Sequence, residues 1–218
     1  MAQIFHPRAN SVAVAILVSI PTIVILVLVV NYQLHASPFT TDVGMHVDQP
    51  VPFSHKHHVG DLGLDCRYCH GGVEGAAFAG LPPTHTCMTC HSQLFTNAAM
   101  LAPVRKSLAN GVPLHWNRVY RLPDYVYFDH SVHIRNGIGC TTCHGDMSKQ
   151  PLTEKKTPLT MGWCLSCHRD PGVHMRSEAA IFDPHAPDPD NDPHKAVAML
   201  RHYVVETSNM TDCSVCHR

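Results

Sequence analysis

The sequence predicts one N-terminal membrane-spanning helix followed by a loop-rich, mainly α domain with little or no sheet. Three observations predict it. The pentapeptide Cys-x-x-Cys-His occurs five times in 218 residues. A run of 19 residues without a charge, Val12 to Val30, precedes every copy. Aromatic residues make up only 7%, against 17 prolines and 13 glycines, which is thin material for an ordinary core.

The five copies are Cys66-Arg67-Tyr68-Cys69-His70, Cys87-Met88-Thr89-Cys90-His91, Cys140-Thr141-Thr142-Cys143-His144, Cys164-Leu165-Ser166-Cys167-His168 and Cys213-Ser214-Val215-Cys216-His217. This pentapeptide is the attachment site of c-type haem. Its two thiols form thioethers with the porphyrin vinyl groups, and its histidine is an axial ligand of the iron. On one helical turn, residues i and i+3 share a face and i+4 lies beside them, so both thiols meet one edge of the macrocycle while the imidazole points under its centre. The five copies use all ten cysteines and leave none for a disulfide. Zinc sites and redox dithiols do not demand a histidine after every second cysteine. The sequence therefore reads as a multihaem cytochrome c with five covalently bound haem c groups, whose porphyrins supply the missing apolar surface. Sixteen basic and 17 acidic residues give a charge of −1, which excludes the strong positive field of a nucleic-acid binder.

The uncharged run is long enough to span a bilayer, which takes about 20 apolar residues, and longer than the roughly 7–15 of a signal-peptide core. We read it as an uncleaved transmembrane helix over 12–31, with Pro21 tolerated inside it. Residues 1–11 are then a cytoplasmic N-terminus, 32–52 a linker, 53–127 a first haem repeat and 128–218 a second. Arg8, the one basic residue before the span, points the N-terminus inward. Haem of this class is attached outside the bacterial cytoplasmic membrane, so the haem domain is expected on the periplasmic face. His35 and His46 read as solvated linker residues.

An internal duplication follows. Phe53-Ser54-His55-Lys56-His57-His58 places His55 eleven residues ahead of the first haem motif, and Phe128-Asp129-His130-Ser131-Val132-His133 places His130 ten residues ahead of the third. A further haem motif follows 21 residues on in one repeat and 24 in the other. The pattern Phe-x-His-x-x-His before Cys-x-x-Cys-His resembles the small class III (c7-type) multihaem cytochromes. That resemblance implies His55 as distal ligand of the iron held by His70, His58 of that held by His91, His130 of that held by His144, and His133 of that held by His168. It leaves His57 without a role. A histidine just before the second haem motif reaches a third haem in that family. Here the matching positions hold Met161 and His85, so Met161 is the first candidate for the iron on His217 and His85 the alternative, with His115 and His174 behind them.

Among the remaining segments, Phe95 to Asn110 reads as an amphipathic helix ending at Gly111, with Met100, Leu101, Val104 and Leu108 over a haem face. Trp116 and Trp163 read as porphyrin neighbours, and Arg105, Lys106, Arg118 and Arg121 as residues of a solvated face or as partners of haem propionates. The proline- and aspartate-rich 183–193 stretch lacks the glycine and terminal glutamate of an EF-hand and reads as an extended surface loop that packs on a partner. His194 to Glu206 reads as a helix.

Irons with both axial positions filled favour electron transfer over catalysis, and no catalytic residue is assigned. The single span, the haem-domain repeats, the opening Met1-Ala2-Gln3-Ile4-Phe5 with Pro7 and Asn10, and Met161-Gly162-Trp163-Cys164 together resemble the pentahaem subunit (ActA type) of alternative complex III. The resemblance covers nearly the whole chain. It implies an electron-transfer subunit of a membrane menaquinol oxidoreductase, with iron–sulfur and monohaem cytochrome subunits as partners. A soluble cytochrome c or blue copper protein would be the acceptor. The alternative is a free-standing membrane-anchored quinol dehydrogenase of the NapC/NirT type. A haem enzyme or sensor, a third class, requires a five-coordinate iron.

Overall fold

The computed structural model describes residues 5–189 and 191–218; residues Met1 to Ile4 of the opening stretch and Asp190 of the aspartate-rich loop lie outside the described residues. The chain divides into two compact units, Met1–Asp42 and Val43–Arg218. Among the described residues there is no strand, only isolated bridges such as Val43 with Lys155 and Val126 with His217.

The first unit is dominated by α1 (Arg8–Ala36), 29 residues with none buried. At 1.5 Å per residue it is about 44 Å long, more than the roughly 30 Å of a hydrocarbon core. It overruns the uncharged stretch at both ends. Pro21 lies inside it without ending it; the Thr22 and Ser19 hydroxyls donate to the carbonyls of Val18 and Ile16 at 2.8 and 3.3 Å. By length and composition α1 is the membrane anchor. The short α2 (Pro38–Thr41) follows.

The second unit is a string of short helices joined by loops: α3 (Cys66–Cys69), α4 (Thr84–His91), α5 (Ala102–Asn110), α6 (His130–Arg135), α7 (Cys140–His144), α8 (Met161–Arg169), α9 (Pro193–His202) and α10 (Cys213–Cys216). Four of the five haem motifs start or end one of these turns, and the fourth lies within α8. Local caps set several starts. The Asp65 carboxylate accepts from the Arg67 N–H at 2.8 Å, Asp129 accepts from Ser131 N–H at 2.8 Å, and Thr160 accepts from Trp163 N–H at 3.3 Å.

Two expected helices are shorter than their apolar patterns. Phe95 adopts φ +54 and Ala98 is extended, so the helix expected from Phe95 starts only at a 3₁₀ turn over Ala99–Leu101 and continues as α5, with Pro103 in its first turn. It ends as expected, with Gly111 at φ +64 and the Val112 N–H reaching back to Ser107 O at 3.1 Å. The helix expected to run to Glu206 stops at His202, because Val204 turns left-handed (φ +55) and the Val205 N–H caps Leu200 O at 3.0 Å.

The apolar core is small. Val73, Ile134 and Ile181 form its buried centre, with Ala79, Cys140 and Phe182 against it. No large side chain among the described residues is fully buried. Side chains alone leave this unit under-packed, as expected of a polypeptide that wraps apolar groups.

Candidate haem centre

The site is built from facing imidazoles. His55 lies opposite His70 with ring centroids 6.4 Å apart and planes 9° from parallel; His130 lies opposite His144 at 6.3 Å and 7°. His58 faces His91 at 6.2 Å and 66°, and His133 faces His168 at 6.1 Å and 48°. One separation recurs four times. A metal–imidazole nitrogen bond is about 2 Å on each side, and each ring centre lies about 1 Å behind its nitrogen, which gives roughly 6 Å between centroids across one shared ion. The rings therefore stand at the distance that a six-coordinate iron requires.

The second ring nitrogens are already engaged. Nδ1 of His70 donates to Gly80 O at 2.7 Å, that of His91 to Leu94 O at 3.2 Å, that of His168 to Met210 O at 2.9 Å and that of His217 to Tyr125 O at 3.2 Å. On the facing side, His58 donates to Ser54 O, His130 to Ala77 O and His133 to Asp129 O, at 2.7–2.8 Å. Carbonyl oxygens only accept, so each of these Nδ1 atoms carries a proton, which leaves Nε2 as the ring nitrogen available to a metal. His55 Nδ1 sits 3.0 Å from the Thr153 hydroxyl. Burial, followed by the charges of neighbouring histidines, pushes the His55 and His144 imidazoles down to about 4, so both are neutral at pH 7, the form that binds a metal.

Phenylalanines hold the distal rings. Phe53 stacks on His58 (4.4 Å, 22°) and meets His55 edge-on (4.9 Å, 85°); Phe128 repeats both contacts with His133 (4.6 Å, 27°) and His130 (4.8 Å, 88°). The duplication read in the sequence is thus a duplication of geometry, with one difference. His130 and His133 stand on the regular helix α6, whereas His55 precedes a π-helical turn over Lys56–Asp61 that carries His58. The first repeat has one residue more between its distal histidine and its haem motif, and a π turn absorbs one inserted residue without changing which side chains face out.

The repeats also brace each other reciprocally. The Lys56 N–H donates to Gln150 O at 2.8 Å, and the Ser131 N–H donates to Ala76 O at 3.3 Å. Lys56 and Ser131 each follow a first distal histidine by one residue; Gln150 and Ala76 each follow a motif histidine by six. The side chains Thr153 and Tyr120 belong to this site and were not singled out from sequence. Tyr120 packs edge-on to His144 at 4.4 Å and accepts from the Lys156 N–H at 2.9 Å. A Phe at fixed distance before each His pair was the available signal for the ring stacks; nothing local marks Thr153 or Tyr120.

Among the described residues His217 is the one motif histidine without a facing imidazole. The ring beside it is that of Tyr125, at 5.9 Å and 29°. Met161, the first residue of α8, is 62% exposed and lies one helical turn before Cys164. The His168 Nδ1 bond to Met210 O brings the fourth motif against the segment three residues before the fifth. His85 stands instead on α4, two residues before Cys87. His115 is exposed in a loop and His174 closes a 3₁₀ turn. His46 is not simply solvated: it bridges to Glu154 and lies 3.4 Å from Thr153 O through Nδ1. His57 pairs with Asp61 at 3.5 Å, off the ligand face. Arg105 donates to Ala98 O at 3.0 Å, and Arg118 lies over Phe78 at 5.1 Å. All ten thiols are free.

No family model matches the chain. It is 32% identical, over 171 residues, to the multihaem cytochrome c subunit of a menaquinone reductase from Nitratidesulfovibrio vulgaris (strain Hildenborough). The match covers 78% of this chain and 68% of that protein. This chain belongs to the multihaem cytochrome c family. The haem c, electron-transport and membrane-anchor readings follow with it, and the mainly helical, strand-free fold agrees. The donor set fits the group. Free thiols stand at i and i+3, an imidazole follows at i+4, and in four motifs a second imidazole faces it at the spacing of one iron.

Proposed function

We propose that this cytochrome carries five covalently bound haems and acts as the electron-transfer subunit of a membrane quinol oxidoreductase of the alternative complex III type. The four facing imidazole pairs carry this reading. Each haem, once attached, supplies an iron that takes up and releases one electron at a time. The chain's own residues do the rest. Cys66, Cys69, Cys87, Cys90, Cys140, Cys143, Cys164, Cys167, Cys213 and Cys216 fix the macrocycles, and His70, His91, His144, His168 and His217 are the proximal ligands. His55, His58, His130 and His133 would hold the opposite faces of four irons, and Met161 that of the fifth. With these residues bound, no iron would be left open to a substrate, so the cytochrome would move electrons and leave bond chemistry to its partners. The carbonyls on Nδ1 of His58, His70, His91, His130, His133, His168 and His217 hold these imidazoles in one orientation, which keeps reorganisation on electron transfer small.

Under this reading the haem domain faces the periplasm, and quinol is oxidised by other subunits. Iron–sulfur and monohaem cytochrome subunits flank this one, and a soluble cytochrome c or blue copper protein receives the electrons. The relative's description as part of a menaquinone reductase favours a second reading, in which electrons run through the same sites toward the quinone. Haem reduction by a menaquinol analogue, followed at the α-band in the detergent-extracted complex and in the isolated chain, tests both. Rapid reduction in the complex alone supports a relay between partners. Equally rapid reduction of the isolated chain makes it a quinol dehydrogenase in its own right. Rapid oxidation of the pre-reduced complex by a menaquinone analogue, with no reduction by the quinol, reverses the direction.

A further inference from the structure

We infer that the five attachment motifs stand in single file in the order His91, His70, His144, His168, His217, so that the path has two ends, the second motif in sequence and the last. The inference rests on the five-haem relay and adds its wiring. Four junctions define the file.

The first junction joins the motifs of His91 and His70. The Tyr68 hydroxyl, inside one motif, lies 2.9 Å from the Thr89 hydroxyl, inside the other. Their distal histidines, His58 and His55, share one short helical segment against a single phenylalanine.

The second junction crosses from one repeat to the other. Cys66 and Cys140 meet at neighbouring carbonyls of one loop. The Cys66 thiol reaches Phe182 O at 3.7 Å, while the Cys140 N–H donates to the adjacent Ile181 O at 3.2 Å. The reciprocal backbone bonds Lys56–Gln150 and Ser131–Ala76 clamp the same seam from both sides. A pseudo-twofold relation follows, which puts the first motif of each repeat at the centre and the second motif of each repeat outside.

The third junction repeats the first. His130 and His133, which face the His144 and His168 rings, share α6 against Phe128. The fourth adds the last motif at one end only. His168 Nδ1 donates to Met210 O at 2.9 Å, three residues before Cys213.

An electron passes along such a file by single steps, one site oxidised as its neighbour is reduced, with no bond made or broken. A single file exposes two termini to partners, whereas a branched cluster would expose three or more. The termini differ. The His91 end has a facing imidazole pair, whereas His217 has no facing imidazole and takes the proposed Met161, whose thioether would raise the potential of the iron it binds.

The test counts magnetic neighbours in the full-length haem-loaded protein. His58→Met and His130→Met each raise the potential of one iron, so that it can be reduced selectively to the diamagnetic low-spin ferrous state. EPR spectra of variant and wild type, poised at the same potential, then show which ferric signals lose their spin coupling. The file predicts one altered neighbour for His58→Met and two for His130→Met. Two neighbours for the first, or one or more than two for the second, overturn the order. Haem content is measured beforehand by pyridine haemochrome, and if His130→Met loses haem then His55→Met, for which two neighbours are also expected, takes its place. A wild-type count other than five sinks the five-haem relay itself, an outcome separate from the neighbour count.

Discussion

Replacing Gly60 by alanine tests the seam between the repeats more sharply than removing a ligand. Gly60 lies in the π turn that carries His58, at ordinary negative φ, so backbone strain is not at issue. A Cβ there would stand 2.4 Å from the Ser148 carbonyl oxygen and 3.3 Å from its carbon. Two effects compete. Alanine is favoured over glycine inside a helix by up to about 1 kcal/mol. Overpacking against a rigid neighbour costs about 1–3 kcal/mol. The neighbour here is backbone, held by the Ser148 N–H on Asp146 at 3.0 Å and by Lys56 N–H on Gln150 at 2.8 Å, so it cannot swing aside like a side-chain end. The clash wins, by roughly 1–2 kcal/mol net, and Tm falls by about 2–8 °C. The consequence is also chemical. Relief requires the turn to move by about 1 Å, and a metal–nitrogen bond of about 2 Å does not stretch that far. His55 or His58 therefore leaves its iron in part of the population. The ferric protein gains a high-spin EPR signal, and the reduced protein binds CO where the wild type does not. A Gly60→Ala protein with unchanged Tm, no high-spin signal and no CO binding would refute the reasoning, because the repeats would then not be in contact at this seam.

Four other outcomes are expected. Parallel axial imidazoles split the iron d orbitals and crossed ones leave them nearly degenerate. The His55–His70 and His130–His144 sites (9° and 7°) should therefore give rhombic low-spin EPR signals, and the His58–His91 site (66°) a more anisotropic one. Met161→His should lower the potential of the highest-potential haem and leave the other four midpoints in place, as read by a spectroelectrochemical titration; an unchanged titration would remove Met161 from the coordination sphere. Thr153→Val removes the oxygen beside His55 Nδ1, weakens that imidazole as a donor and should raise the potential of a single haem without loss of haem content. Asp129→Ala removes the cap of α6 and should cost about 1 kcal/mol in a urea melt, with asparagine restoring most of it.

Some contacts acquire a purpose only through the duplication. Thr153 lies nine residues past a motif histidine and would pass as an ordinary loop residue, yet it meets a distal histidine of the other repeat 98 positions away. Gln150 and Ala76 are unremarkable in sequence and equivalent in space. The π turn is the converse case. The one-residue difference between the repeats is written in the sequence, but a shift of register and a π insertion satisfy it equally well on paper. Only the second keeps His55 and His58 facing the His70 and His91 rings, and it is the one found.

The sequence by itself determined the chemistry. A thiol pair and a histidine that act within one helical turn need no tertiary partner to be recognised, so the five attachment motifs were legible, as were the apolar span and the Phe-x-His-x-x-His repeats. Short-range periodicity is a property of the local backbone, and local backbone is what a sequence pattern encodes. The tertiary structure decided what lies between distant segments: which imidazole faces which, the reciprocal clamp of the repeats, the late start of α5 and the early end of α9, and the meeting of Cys66 and Cys140 at the Ile181 and Phe182 carbonyls. Those depend on packing across a seam whose two sides are separated by some 75 residues of chain, as Cys66 and Cys140 are. No period or spacing within either side carries that information.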